Sequence, residues 1–137
     1  MSAAEFLDTN ILVYSYDTVD LRKQRIARDL VDRALDGDFV ISTQVLCEFA
    51  SAVLHKIAPP ITPTDLIRVL DSLGPIRTIA PDAGMVRRAV EVRDRYGLRF
   101  YDCLIIAAAE RAGCKKIWSE DPYAGQEYFG ITVQNPF

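Results

Sequence analysis

The sequence predicts an α/β chain, a three-layer α/β/α sandwich built on a mostly parallel central sheet. Two observations carry this expectation. Short apolar runs of strand length alternate with longer segments whose apolar residues recur at helical spacing. The joints between them hold Asp, Ser, Thr, Gly or Pro, the residues that cap helices and stop strands. Strands linked through helices pair in parallel, and such sheets bind ligands outside the carboxyl ends of their strands.

Phe6-Leu7 with Ala3-Ala4 reads as a short buried strand, and Asp8-Thr9-Asn10 supplies side chains able to cap a helix starting near Ile11. From Leu21 to Leu35, Ile26, Leu30, Val31, Ala34 and Leu35 recur at helical spacing, and Asp36-Gly37-Asp38 ends that helix. Phe39-Val40-Ile41 is a second strand. Ser42 or Thr43 then caps a helix from Gln44 through Lys56, with Val45, Phe49, Ala52 and Val53 facing inward and Pro59-Pro60 stopping it. Thr62-Pro63-Thr64-Asp65 opens another helix through Leu66, Ile67, Val69, Leu70 and Leu73, and Gly74-Pro75 closes it before a strand from Ile76 to Ile79. Pro81-Asp82 begins a helix reaching Tyr96-Gly97. Phe100-Tyr101-Asp102 opens the next, which ends at Ala112-Gly113 and leads into a strand over Lys115 to Ser119. Glu120-Asp121-Pro122 is a turn, and Ile131-Thr132-Val133 is expected as an edge strand.

The chain has 137 residues, which fits one domain over residues 1–137, and its 50% hydrophobic and 26% charged residues are ordinary globular composition. No apolar run approaches the roughly 18 residues of a membrane span, and Asp8 interrupts the N-terminal segment too early for an export signal. No membrane association is expected. Cys47, Cys103 and Cys114 form no C-x-x-C pair, so a disulfide framework or a thiolate metal site is not expected, and a reducing cytoplasm suits them. A formal charge of −3 gives no general attraction to nucleic acid, so a polyanion needs a local basic rim or metal ions.

Four carboxylates stand where apolar segments begin, end or turn. Asp8 follows the first strand at the sheet's ligand-binding edge, and equally suits an N-cap. Glu48 falls on the border of its helix's apolar arc, a position that is ordinarily solvated. Asp102 precedes Cys103-Leu104-Ile105-Ile106-Ala107-Ala108-Ala109, apolar on nearly every side; alone it also reads as a first-turn acid favoured by the helix dipole. Asp121 follows a late strand, and Asp-Pro is a common turn dipeptide. Acids gathered at one sheet edge repel one another unless a cation or basic partner offsets them. An all-oxygen donor set favours Mg²⁺ or Mn²⁺, which suits metal-assisted hydrolysis of a phosphodiester.

His55 reads as a C-terminal helix or surface residue, and Cys47 and Cys103 as core or boundary residues. Arg22, Lys23, Arg25, Arg28, Arg87, Arg88, Arg93, Arg95 and Arg99 are candidates for a phosphate-gripping rim, or simply solvated helix faces.

Asp8-Thr9-Asn10 after a strand, Glu48 in a helix after a second strand, Phe100 to Ala109, and Ser119-Glu120-Asp121 after a late strand make the chain resemble PIN-domain ribonucleases along nearly its whole length. In size and motif it is similar to the VapC-type toxins of bacterial type II toxin-antitoxin pairs. The resemblance implies a PIN-like nuclease domain and a Mg²⁺-dependent endoribonuclease, Mn²⁺ able to substitute, in which a metal-activated water hydrolyses RNA. Asp8, Glu48, Asp102 and Asp121 match the family's acidic quartet, with Asp8 and Asp102 as metal ligands and Asn10 and Ser119 orienting the acids. It also implies a homodimer and a cognate antitoxin. One departure stands out: many relatives carry another acid shortly after the fourth, whereas here no carboxylate follows Asp121 until Glu127, which leaves one or two metal ions open. Two alternatives remain beside this reading. One is a phosphohydrolase with Asp8 as nucleophile, although Asn10 stands where a second acid would support it; the other is a non-catalytic PIN-like binding module.

Overall fold

The computed structural model describes residues 3–137 and contains six strands and six helices in those residues. In chain order these are β1 (Glu5–Leu7), α1 (Thr9–Tyr16), α2 (Leu21–Asp36), β2 (Phe39–Ser42), α3 (Thr43–His55), α4 (Pro63–Ser72), β3 (Arg77–Ile79), α5 (Ala83–Tyr96), α6 (Phe100–Arg111), β4 (Lys116–Trp118), β5 (Glu127–Tyr128) and β6 (Ile131–Gln134). The strand order is β3-β2-β1-β4-β6-β5, and every pairing is parallel except β5 with β6. Helices flank the sheet: α1 packs on α2 and α3, while α5 packs on α6, which also contacts β2, β4 and β6. The expected sandwich on a mostly parallel sheet is what the chain forms.

Capping chemistry sets most of the helix starts. Asp20, Ser42, Thr62 and Asp82 each accept a backbone N–H from the first turn of α2, α3, α4 and α5. Ser42, rather than Thr43, caps α3. Asp8 accepts from Thr9 N, so α1 begins at Thr9, two residues before the expected Ile11. Gly97 closes α5 at φ 72°, a left-handed conformation that glycine adopts without a Cβ clash.

Two expectations about the sheet and helix faces need correction. Residues Ile131–Gln134 do not form an edge strand; β6 lies between β4 and β5, and the edges are β3 and β5. The two-residue β5 is too short to leave an alternating pattern in the sequence. Ala52 is half-buried, whereas Val45, Phe49 and Val53 carry the inward face of α3.

Two features of this architecture place the functional edge. First, β1 has β2 on one side and β4 on the other, so chain connections leave in opposite directions from the carboxyl ends of β1 and β4. A crevice opens outside strand ends where the winding reverses in this way. Second, α6 is buried from Cys103 through Ala109, which fixes its first turn firmly against the sheet.

Candidate active site

At that reversal, Asp8, Glu48, Asp102 and Asp121 line one pocket of about 210 Å³. The four come from the end of β1, the middle of α3, the first turn of α6 and the loop after β4. Folding therefore brings together all four acids singled out in the sequence, across separations of up to 113 positions between Asp8 and Asp121.

Asp8 is the most enclosed of the four, 3% exposed. Its Oδ1 accepts from Thr9 N at 2.7 Å, and its Oδ2 accepts from the hydroxyls of Ser119 at 2.8 Å and Tyr123 at 2.6 Å. A buried carboxylate without such donors would be costly to keep ionised; here each oxygen has at least one. Ser119, itself fully buried, is saturated by this role. Its single O–H goes to Asp8, while its oxygen accepts from Asn10 Nδ2 and Asp121 N, both at 3.1 Å. The other end of the Asn10 amide accepts from Glu120 N at 3.2 Å, which pins the loop after β4 against α1.

Glu48 lies at the exposed rim. Its Oε1 accepts from Thr9 Oγ1 at 3.1 Å and Gln44 Nε2 at 3.3 Å. Partial desolvation of the carboxyl pushes its pKa upward, and the charges of Asp8 and Asp102 add to this against the opposing hydrogen bonds. Asp102 receives Arg99 Nε at 3.2 Å and Nη2 at 3.4 Å, an ion pair one helical turn long. Asp121 is pushed up to about 7, first by desolvation, then by the charge of Asp8 and a hydrogen bond shared with it, then by Asp102. Arg99 opposes that rise.

Among the described residues, no three His, Cys, Asp or Glu side chains stand close enough to hold an ion by themselves. The acids border a pocket and do not form a closed cage. That arrangement fits a hard cation which takes one or two carboxylates and keeps its waters, and the oxygen-only donor set fits the same class.

Several residues beyond the quartet and its two polar neighbours enter the site. Tyr123 had no local signal, because an aromatic directly after an Asp-Pro dipeptide reads as core. Arg99 could be paired with Asp102 from its i,i+3 spacing alone. Of the nine basic residues considered for a rim, Arg99 alone lines this pocket. Lys23 instead pairs with Glu120 at 2.7 Å beside Tyr14, and Arg88 pairs with Glu110 at 2.8 Å and lies over the Phe129 ring. His55 ends α3 on the exposed surface, Cys103 is core and Cys47 is exposed.

The PIN domain family model matches residues 6–124. No match was found among curated proteins. Among solved structures, the chain is similar to a toxin-antitoxin complex from Klebsiella pneumoniae, with a TM-score of 0.68, 21% identity and 98% of each chain covered. It is also similar to DNA-bound VapBC from Salmonella typhimurium, with a TM-score of 0.71, 16% identity and 100% of each chain covered. A third likeness is to VapC20 of Mycobacterium tuberculosis, a sarcin-ricin loop cleaving toxin, with a TM-score of 0.69, 18% identity and coverage of 88% of this chain and 92% of that one. At such identities these structures establish a shared fold, and the family match spans most of the sequence. The chain belongs to the PIN domain family.

Proposed function

We propose that this PIN domain is a Mg²⁺-dependent endoribonuclease and the toxin of a toxin-antitoxin pair, working in the cytoplasm as a single nuclease domain over residues 1–137. The observation that carries this reading is the convergence of Asp8, Glu48, Asp102 and Asp121 on one pocket at the carboxyl edge of a parallel sheet. Asp8 and Asp102 would hold the cation, with Glu48 and Asp121 shaping the pocket around it. A Mg²⁺ held there would supply Lewis acidity to activate a water and offset phosphate charge, and Mn²⁺ shares its oxygen preference.

The remaining work belongs to the chain's own side chains. Ser119, Tyr123 and Thr9 N fix both oxygens of Asp8, and Asn10 fixes Ser119 in turn. The bonds from Thr9 and Gln44 both fall on Oε1 of Glu48, which leaves Oε2 free to accept a proton from an attacking water. Donors on both oxygens of Asp8 also lower its nucleophilicity, which weakens the alternative of covalent attack on phosphorus.

The VapC20 of similar fold cleaves the sarcin-ricin loop, and other structures of this fold are toxin-antitoxin complexes, which supports RNA as substrate and an antitoxin as partner here. We also propose a homodimer, which the resemblance to the toxin family implies. Among the described residues no helix is long and apolar enough to cross a membrane.

The deciding experiment incubates purified protein with total RNA, with Mg²⁺ and with chelator, for wild type, Asp8→Asn and Asp102→Asn. Cleavage should need Mg²⁺ and fall by at least about a hundredfold in either variant. Cleavage that ignores both chelator and substitution would overturn the metal mechanism, and a phosphoryl adduct on Asp8 would establish the covalent route. Absence of any RNA cleavage by wild type, with the antitoxin removed, would leave a binding module.

A further inference from the structure

The mouth of the acidic pocket is not acidic throughout. Arg99, Phe100 and Tyr101 form one wall at the start of α6, directly beside Asp102. Tyr101 is 64% exposed and is the one aromatic among the exposed large hydrophobic side chains of the described residues. An exposed tyrosine ring beside a candidate catalytic pocket offers a flat, amphipathic face on which a ligand can stack.

The wall is built to be stiff. The Phe100 ring meets the Tyr101 ring edge-on, with centroids 5.4 Å apart. The backbone carbonyl of Tyr101 accepts from Gln44 Nε2 at 3.1 Å, which ties the start of α6 to α3. Gln44 Nε2 also reaches Glu48, so the aromatic wall and the acidic wall are joined through one amide. Arg99 is different. Its side chain is 80% exposed, and its contacts to Asp102 are long, at 3.2 and 3.4 Å. The guanidinium lies largely in water while the Asp102 carboxylate is mostly enclosed, so the Arg99 end of the pair is the one free to turn to a phosphate.

We propose that Arg99 and Tyr101 form a nucleotide subsite at the pocket rim, in which Tyr101 stacks on an unpaired base of single-stranded RNA and Arg99 grips an adjacent phosphate. Proximity and charge select this occupant. The chain carries a net charge of −3, and Arg99 alone puts a positive charge on the pocket wall, so a polyanion approaching the acids meets its local counter-charge there. Stacking requires a base outside a helix, which makes single strands, loops and bulges the preferred substrates. This inference rests on the proposed ribonuclease reading.

The test measures binding of a short fluorescein-labelled single-stranded RNA by anisotropy in an Asp8→Asn background, where cleavage is suppressed. Tyr101→Ala should weaken binding roughly five- to a hundredfold, and Tyr101→Phe and Tyr101→Trp should restore it to within about twofold. Arg99→Gln should weaken binding and reduce the slope of log affinity against log salt by about one. The same RNA annealed into a duplex should lose the dependence on Tyr101. Parental affinity in Tyr101→Ala, failure of the aromatic replacements to restore binding, or an equal effect on the duplex would each overturn the subsite. Sedimentation of Tyr101→Ala provides a further arm: a change in assembly state would mark the ring as a protein contact and also overturn the proposal, whereas unchanged assembly together with lost RNA binding supports it. Failure here, with Asp8 and Mg²⁺ still required for cleavage by the unmodified rim, would leave the nuclease reading standing; absence of RNA cleavage by wild type would sink that reading instead.

Discussion

The Tyr123 hydroxyl donates to Asp8 Oδ2 at 2.6 Å from 115 positions away in the chain. Both partners are buried, and Tyr123 is in turn held by Tyr128, whose hydroxyl donates to the Tyr123 carbonyl at 2.7 Å. The carboxylate that opens the candidate site is thus oriented by a loop near the other end of the sequence. Burial and the neighbouring charge of Asp8 push the Tyr123 hydroxyl well above its ordinary pKa, so it remains a donor at any working pH.

Removing that donor has a measurable consequence. Tyr123→Phe keeps the ring and leaves Ser119 as the remaining hydroxyl donor to Asp8 Oδ2. It should lower stability by about 1–2 kcal/mol and raise the Mg²⁺ concentration for half-maximal cleavage by about tenfold. Thermal melting and a Mg²⁺ titration check this; an unchanged titration would deny the hydroxyl any part in orienting Asp8.

Asp121 makes cation-free stability depend on pH. Its folded-state pKa of about 7 lies above the unfolded value of about 3.9, so the native state binds the extra proton. Stability then declines as pH rises from about 4 through about 7. In chelator, Asp121→Asn should be more stable than wild type at about pH 8, on the order of 1–2 kcal/mol once the open pocket mouth is allowed for, and the gap should shrink toward pH 4. Urea denaturation across that range would reveal a pH-independent gap if this account is wrong.

The three cysteines should separate by reactivity. Cys47 is exposed, whereas Cys103 and Cys114 are buried, and burial pushes both of their thiols up, that of Cys114 to about 11. Iodoacetamide near pH 8 should modify the native protein at Cys47 and reach the other two only after denaturation. Mass spectrometry of the intact chain reads this directly; fast double or triple labelling of native protein would contradict the burial.

Helix faces make a paired prediction. Phe49 is 2% exposed next to Glu48 on α3, so Phe49→Ala should cost about 3–5 kcal/mol. Ile67 is 57% exposed on α4 despite its place in an apolar helical run, and Ile67→Ala should change stability by less than about 0.5 kcal/mol. Equal losses in chemical denaturation would mean that Ile67 is covered in solution.

Much of the fold was legible because its determinants are local. Alternating periods, the caps Ser42, Thr62 and Asp82, and the glycine after α5 mark their elements within a few residues. Three of the four acids were legible for a related reason: Asp8, Asp102 and Asp121 each break an apolar segment or follow one, and that disturbance shows in the sequence. Glu48 needed the resemblance, since a border Glu on an amphipathic helix looks solvated.

What the sequence by itself determined was the alternation of elements, the parallel sheet and the residue types offered for chemistry, because propensity, capping and periodicity act over short spans. Only the tertiary structure decided that β6 lies inside the sheet, that Tyr123 supports Asp8, and that Arg99 alone among the candidate rim residues lines the pocket. Strand order and contacts between distant side chains are settled by packing between elements, where each partner's position depends on all the others.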